Sequence, residues 1–217
     1  MTAGIRRNAA GGRGQQGRIA DEQFTGAVAL ADGEVQERCK PVVIGHSEIL
    51  KCVSEVSGVP MTSADAVDVE SAGVEEVQPG VVSAAAGTAA DAYVRRACEL
   101  GLSGEIDAIT TDPINKEALR LAGVEHIGHT EMLADYLSGG ASTSNPLTLF
   151  VTENMRIFFL SRHLSLRDAI DYITADRVYE FIGRVHSAMT DLGFESPRIG
   201  LAALNPHASD GGQFGTE

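Results

Sequence analysis

The chain has 217 residues, 43% of them hydrophobic, and a formal net charge of −13 at pH 7. This length and apolar content predict a globular protein, and the acidic balance argues against a nucleic-acid partner because phosphate backbones are bound by clustered Lys and Arg. The apolar runs are too short to cross a bilayer and the first residues differ from a secretory leader, so we expect a cytoplasmic protein without a membrane partner.

The first part of the chain differs in composition from the rest. Residues 1–20 contain four arginines, many glycines and no acidic residue. Such a segment lacks a hydrophobic period, and we predict that 1–31 is disordered or atypical and that 32–217 forms an α/β domain. A nucleic-acid-binding arm is the alternative, although no aromatic residues alternate with the arginines of 1–20.

From Lys40 onward, strand-like and helix-like patterns alternate. The run 41–45 is typical of a short buried strand, and the apolar residues after it recur at helical spacing. Weaker strand candidates follow at 67–69 and 74–77, before an alanine-rich helix over 83–102. This alternation predicts the α/β class.

The second half continues the same alternation. The predicted elements are a strand at 106–110, a helix at 116–121 ended by Gly123, a helix at 129–137, a hairpin of 147–151 and 156–160, a long amphipathic helix capped by Thr174, and a final strand at 199–204.

Three of the predicted strands lead directly into polar clusters. Lys116 follows the strand at 106–110, His163 follows the second hairpin strand, and His207 follows the final strand. In open α/β sheets, ligands bind outside the carboxyl ends of the strands. The three side chains are therefore predicted to face one shared cleft.

His163 and His207 are candidate metal ligands. Neutral imidazole is the commonest protein ligand for a transition metal, and a catalytic zinc site has three protein ligands and one open position. A third ligand would have to come from elsewhere. The alternative is that both are hydrogen-bonded structural histidines. His46, His126 and His186 lie in helix-like or turn contexts without partners, and we interpret them as structural.

Lys116, His129 and Thr130 are candidate substrate-binding residues. Lys116 lies near a predicted helix start, where an ammonium group and free backbone N–H groups suit an anion. His129 and Thr130 begin the next helix, and their donors would orient a phosphate or hydroxyl group. The alternatives are a solvated surface lysine and simple helix capping.

Four motifs resemble those of the 4-hydroxythreonine-4-phosphate dehydrogenase family. They occur in the order and spacing of that family, and the resemblance covers roughly 35–217. The motifs are Thr111-Asp112-Pro113-Ile114-Asn115-Lys116, Gly128-His129-Thr130-Glu131, Ser161-Arg162-His163-Leu164-Ser165-Leu166-Arg167 and Leu204-Asn205-Pro206-His207. The runs 145–148 and 158–163 are most similar to the branch that acts on 4-phospho-D-threonate or 4-phospho-D-erythronate.

The resemblance implies a fold, a reaction and roles for individual residues. It implies an incomplete three-layer α/β fold like that of isocitrate and isopropylmalate dehydrogenases, a homodimer, and a place in pyridoxine biosynthesis. It implies NAD- and divalent-metal-dependent oxidation, with decarboxylation, of a phosphorylated four-carbon hydroxy acid such as 4-phosphooxy-L-threonine. The metal would be zinc, cobalt or magnesium. His163 and His207 match metal ligands, and His129, Thr130 and Lys116 match substrate-site residues; no residue is assigned a catalytic role.

The ends of the chain depart from the family pattern. The family's opening strand and glycine-proline-rich loop are replaced here by the arginine-glycine segment. We also expect that the family's C-terminal part is lacking after Glu217, and with it a third metal histidine and much of the NAD site. The alternative hypothesis is therefore a catalytically inactive, truncated remnant that at most binds a ligand or a partner subunit.

Overall fold

The computed structural model describes residues 32–58, 65–78, 80–138 and 146–216. The chain divides into two compact units, Met1–Asn145 and Pro146–Glu217, which are treated separately below. The predicted disorder of 1–31 lies outside the described residues and stays a prediction. Among the described helices, none combines the length and the apolar character that a bilayer span requires.

The first unit begins with a parallel βαβ arrangement. Helix α1 spans Gly33–Arg38, strand β1 Val42–Gly45, helix α2 Ser47–Ser57 and strand β2 Asp65–Asp68. The two strands pair in parallel, with Val42 opposite Asp65. Gly58 ends α2 in the left-handed conformation, at φ 68°, which glycine adopts without a steric penalty. The predicted first strand and its helix are confirmed.

Three helices carry most of the packing in this unit. Helix α3 spans Ala84–Leu102 and is capped by the Ser83 hydroxyl, which accepts a hydrogen bond from the Ala86 N–H at 3.2 Å. It packs against α4, Lys116–Leu121, and α5, His129–Ser138. All three helices were predicted, and their bounds agree with the prediction within a residue.

Two apolar clusters lie along the long helix α3. One combines its buried Val94 and Cys98 with Leu119 of α4 and Met132 of α5. The other places Ile44 of β1 against residues of α3. Helix α3 is therefore the element that joins the βαβ arrangement to α4 and α5.

The second unit contains a hairpin and two helices. Strands β3, Leu149–Thr152, and β4, Met155–Phe158, pair antiparallel, with Leu149 opposite Phe158. Helix α6 spans Leu166–Tyr172, and α7 spans Ala175–Asp191 with the Thr174 side chain as its cap. The predicted hairpin and long helix are confirmed, whereas α6 was not predicted.

Three predicted strands are wrong. No strand is assigned at 106–110 or 199–204 within the described chain, and 74–77 contains a 3-10 turn, Val74–Glu76. An apolar run favours extended backbone, but a strand also requires a hydrogen-bonded neighbour, which a local pattern does not specify. Gly73 begins the turn at φ 73°, and Val74 is buried.

Candidate functional site

Lys116 is held at the beginning of α4 by a helix cap. The Asn115 side chain accepts a hydrogen bond from the Ala118 N–H at 2.9 Å, so the helix starts at the residue that follows it. Ala118 and Leu119 are buried against α3, which fixes this short helix, while Lys116 itself is exposed. The lysine therefore projects from a fixed backbone position.

Gly128 brings Lys116 and the start of α5 together. The Gly128 carbonyl accepts the first helical hydrogen bond, from the Met132 N–H at 3.1 Å. A Cβ placed on Gly128 would lie 3.9 Å from Lys116 Cε and 3.7 Å from a Glu131 carboxylate oxygen. The lysine side chain thus packs beside the turn that carries the predicted residues His129 and Thr130.

The first turn of α5 suits an anionic or hydroxyl-bearing ligand. Its leading N–H groups have no intrahelical acceptor, and the helix dipole favours negative charge at this end. His129 is half-buried, and burial lowers the pKa of its imidazole below 6.5. The ring is therefore neutral at pH 7 and offers one donor and one acceptor. Thr130 adds an exposed hydroxyl group.

His163 and His207, both in the second unit, share a backbone conformation and are both exposed. Both are exposed, and both have a left-handed backbone, at φ 56° and 52°. This conformation is uncommon for residues other than glycine and is concentrated at functional sites. The strand-end argument is wrong for His207, since no strand is assigned in the described residues 199–206 directly before it. Strand β4 ends at Phe158, well before His163.

The two histidines fit a metal site in ligand type but not in number. Within the ranges that the structure describes, no three His, Cys, Asp or Glu side chains come together to hold a metal ion. Two imidazoles are one ligand short of a catalytic zinc site. The residues present therefore do not form a complete metal centre, and the convergence of His163 and His207 stays a prediction.

The predicted site residues fall into two sets. Lys116, His129 and Thr130 belong to the first unit, and the structure brings Lys116 to the turn before the other two. His163 and His207 belong to the second unit. The single cleft shared by Lys116 and both histidines stays a prediction.

A polar cluster beside the first set was not predicted. We call it the Tyr136 cluster: Asp91, Arg95, His126, Asp135 and Tyr136. The interpretation of His126 as a residue without partners is wrong, because its Nε2 lies 3.1 Å from the Asp135 carboxylate. From the sequence alone, only the Asp91–Arg95 ion pair of this cluster could have been predicted, because these two residues are one helical turn apart.

Comparisons with known proteins point in one direction. The model of the family described as pyridoxal phosphate biosynthetic protein PdxA matches residues 37–217. A Symbiobacterium thermophilum protein assigned as a D-threonate 4-phosphate dehydrogenase is 41% identical over 206 residues, which cover 88% of this chain and 60% of that protein. A relative from Halalkalibacterium halodurans with the same assignment is 41% identical over 204 residues, covering 87% of this chain and 60% of its own. The chain thus spans about 60% of the length of these relatives.

Two solved structures of dehydrogenases match the fold of this chain. A 4-hydroxythreonine-4-phosphate dehydrogenase from Burkholderia phymatum matches with a TM-score of 0.76 at 33% identity, over 90% of this chain and 62% of that one. The enzyme of that name from Klebsiella pneumoniae matches with a TM-score of 0.75 at 29% identity, over 92% and 62%. The predicted α/β fold is confirmed.

Proposed function

This chain belongs to the PdxA family, and we propose that it acts as an oxidoreductase on a phosphorylated four-carbon hydroxy acid. The observation that carries this proposal is the position of Lys116 beside the first turn of α5, within the matched residues 37–217. That arrangement offers an anion both a cation and free backbone N–H groups.

The preferred substrate is 4-phospho-D-threonate. The two relatives named above are assigned as D-threonate 4-phosphate dehydrogenases, whereas the solved structures are named for 4-hydroxythreonine-4-phosphate. Both compounds are phosphorylated four-carbon acids, so 4-phosphooxy-L-threonine is the second candidate. The charge of such a substrate is opposite to that of Lys116.

The residues of this chain would bind and orient the acid. Lys116 would pair with an anionic group, and the N–H groups of the first turn of α5 would donate to its oxygens. Neutral His129 and the Thr130 hydroxyl would hold the substrate hydroxyl groups without adding charge. Holding the substrate in one orientation lowers the entropic part of the barrier to reaction.

The proposed reaction removes hydride from C3, the hydroxyl-bearing carbon β to the carboxylate, while the proton of that hydroxyl group is released. The product is a β-keto acid, which loses carbon dioxide when the bond between its carboxylate and the α-carbon breaks. The electron pair of that bond passes into an enolate, whose α-carbon then takes up a proton to give the ketone. NAD, the acceptor in the family's reaction, would take the hydride. His163 and His207 would contribute two ligands to zinc, cobalt or magnesium.

The proposal extends to assembly and location. We propose a homodimer, as the resemblance to the family implies, and a cytoplasmic location, as the sequence analysis predicts. The alternative of a catalytically inactive remnant finds no support in the comparisons, since the relatives and solved structures described above are named as dehydrogenases. It remains an outcome of the experiment below.

The experiment follows NADH absorbance when the chain is mixed with NAD, a divalent metal and a phosphorylated acid. We expect NADH to form with 4-phospho-D-threonate in the presence of zinc, cobalt or magnesium. D-Threonate, which lacks the phosphate, is the matched control and should be used at least about tenfold less efficiently, since a charged hydrogen bond is lost. Absence of NADH with every phosphorylated acid and metal would overturn the proposal.

A further inference from the structure

The Tyr136 cluster joins three segments of the first unit. The Tyr136 hydroxyl donates a short hydrogen bond to the Asp91 carboxylate of α3 and accepts one from Arg95 Nη2 at 3.1 Å. Arg95 also pairs with Asp91 at 3.2 Å, and its guanidinium carbon lies 4.1 Å from the centre of the Tyr136 ring. The tyrosine is thus fixed on α3 by both its hydroxyl group and its ring.

The same tyrosine contacts the segment that precedes α5. The His126 and Tyr136 rings meet edge to face, with centroids 5.1 Å apart, and His126 Nδ1 lies 3.5 Å from the Tyr136 hydroxyl. The other ring nitrogen of His126 lies 3.1 Å from Asp135. His126 is therefore bound to α5 at two successive residues.

These contacts are well placed to fix the candidate substrate site. His126 is two residues before Gly128, the residue beside Lys116. Tyr136 is two helical turns after His129, so both residues lie on nearly the same face of α5, together with the fully buried Met132. Rotation of α5 about its axis would move Tyr136 away from Asp91 and His129 out of its half-buried position.

The Tyr136 cluster itself offers little to a ligand. Each of its five side chains already has a partner inside the cluster, and the Asp91 side chain is only 18% exposed. Its groups are therefore used in holding α3, α5 and the intervening segment together. This distinguishes it from the open first turn of α5.

We infer that the Tyr136 cluster consists of positioning residues, which set the rotation of α5 and thereby the placement of His129 and Thr130 for the substrate. This inference rests on the proposed function for its role in substrate binding. The positioning itself is a property of the folded chain and can be measured without any substrate.

The first test is an NMR titration of the His129 imidazole in the full chain, assigned with a His129→Gln variant. Tyr136→Phe keeps the ring and removes the hydroxyl, and we expect it to move the His129 pKa upward toward 6.5 as burial of the imidazole decreases. Arg96→Ala is the matched control: Arg96 is on the same helix α3 and pairs there with Glu99, at 2.9 Å, outside the Tyr136 cluster. It should leave the titration unchanged.

A second measurement connects the cluster to substrate. Calorimetry should show that Tyr136→Phe weakens binding of 4-phospho-D-threonate by roughly 10- to 100-fold, while Arg96→Ala does not. Asp91→Asn provides a second variant if Tyr136→Phe loses its helical circular dichroism. An unchanged His129 titration in both folded variants would overturn the inference. Failure of the wild-type chain to bind any phosphorylated acid would instead count against the proposed function, and the titration would still decide the positioning role.

Discussion

At the scale of single residues, burial decides the charge of His129. The folded chain holds the pKa of this imidazole below 6.5, so the unfolded chain takes up a proton at a higher pH than the folded chain does. The stability associated with neutral His129 is therefore fully present above pH 6.5 and is lost as the pH falls from 6.5 through the lower folded pKa.

This linkage predicts a pH-dependent effect of substitution. His129→Gln should remove part of the decline in the free energy of unfolding below pH 6.5, because glutamine does not titrate. The measurement is urea unfolding at a series of pH values. His186→Gln, on the exposed surface of α7, is the control. Identical declines in the wild-type and His129→Gln chains would contradict the assignment of a buried, neutral imidazole.

Single residues also show what the sequence could predict about the site. Lys116 was predicted to lie near a helix start, and the structure shows why a local signal suffices there, since the Asn115 side chain caps the helix that follows it. The contact between Lys116 and Gly128 depends on how α4 and α5 pack on α3, which no local spacing encodes. The left-handed backbone of His163 and His207 was likewise not readable from their neighbours.

At the scale of elements, one glycine determines how closely two helices approach. A Cβ on Gly87 of α3 would overlap the Ala118 carbonyl group and lie 2.9 Å from the Leu119 nitrogen, both in the backbone of α4. Backbone atoms cannot move aside independently of their helix. Only glycine at this position therefore allows α4, and with it Lys116, to keep its present position.

Gly87→Ala should destabilise the chain by about 1–3 kcal/mol, the usual cost of overpacking, despite the better helix propensity of alanine. Gly101→Ala is the matched control on the same helix, since among the described residues its Cβ would make an ordinary contact, with Ile109 Cδ1 at 3.8 Å. That change should be neutral or stabilising. Thermal or urea unfolding measures both variants, and equal stabilities would contradict the close packing of α3 on α4.

Elements with local sequence signals were predicted correctly, whereas strands that need distant partners were not. The helices α3, α4 and α7 carry their own start signals, in Ser83, Asn115 and Thr174, and they were predicted correctly. The hairpin was predicted because its turn lies between adjacent runs. The runs at 106–110 and 199–204 require partners distant in sequence, and the exposed Leu201, at 63%, shows that an apolar side chain alone does not produce a paired strand.

At the scale of the whole molecule, the net charge of −13 disfavours an anionic ligand, and a cation beside the binding site opposes that effect locally. Lys116 is such a cation. Because it lies beside the α5 N-terminus, its positive charge and the free N–H groups of that helix can act on the same anion. Salt screens the repulsion between the ligand and distant acidic residues over about 10 Å. Substrate affinity should therefore depend on Lys116 more than on the overall charge.

The most direct measurement is a calorimetric titration of the full chain with 4-phospho-D-threonate, comparing wild type with Lys116→Met. We predict that Lys116→Met weakens binding by about 10- to 100-fold, the loss expected for a hydrogen bond to a charged group. Arg120→Met, which removes an exposed cation from the same helix, should bind like wild type. Equal affinities for wild type and Lys116→Met would contradict the assignment of this site.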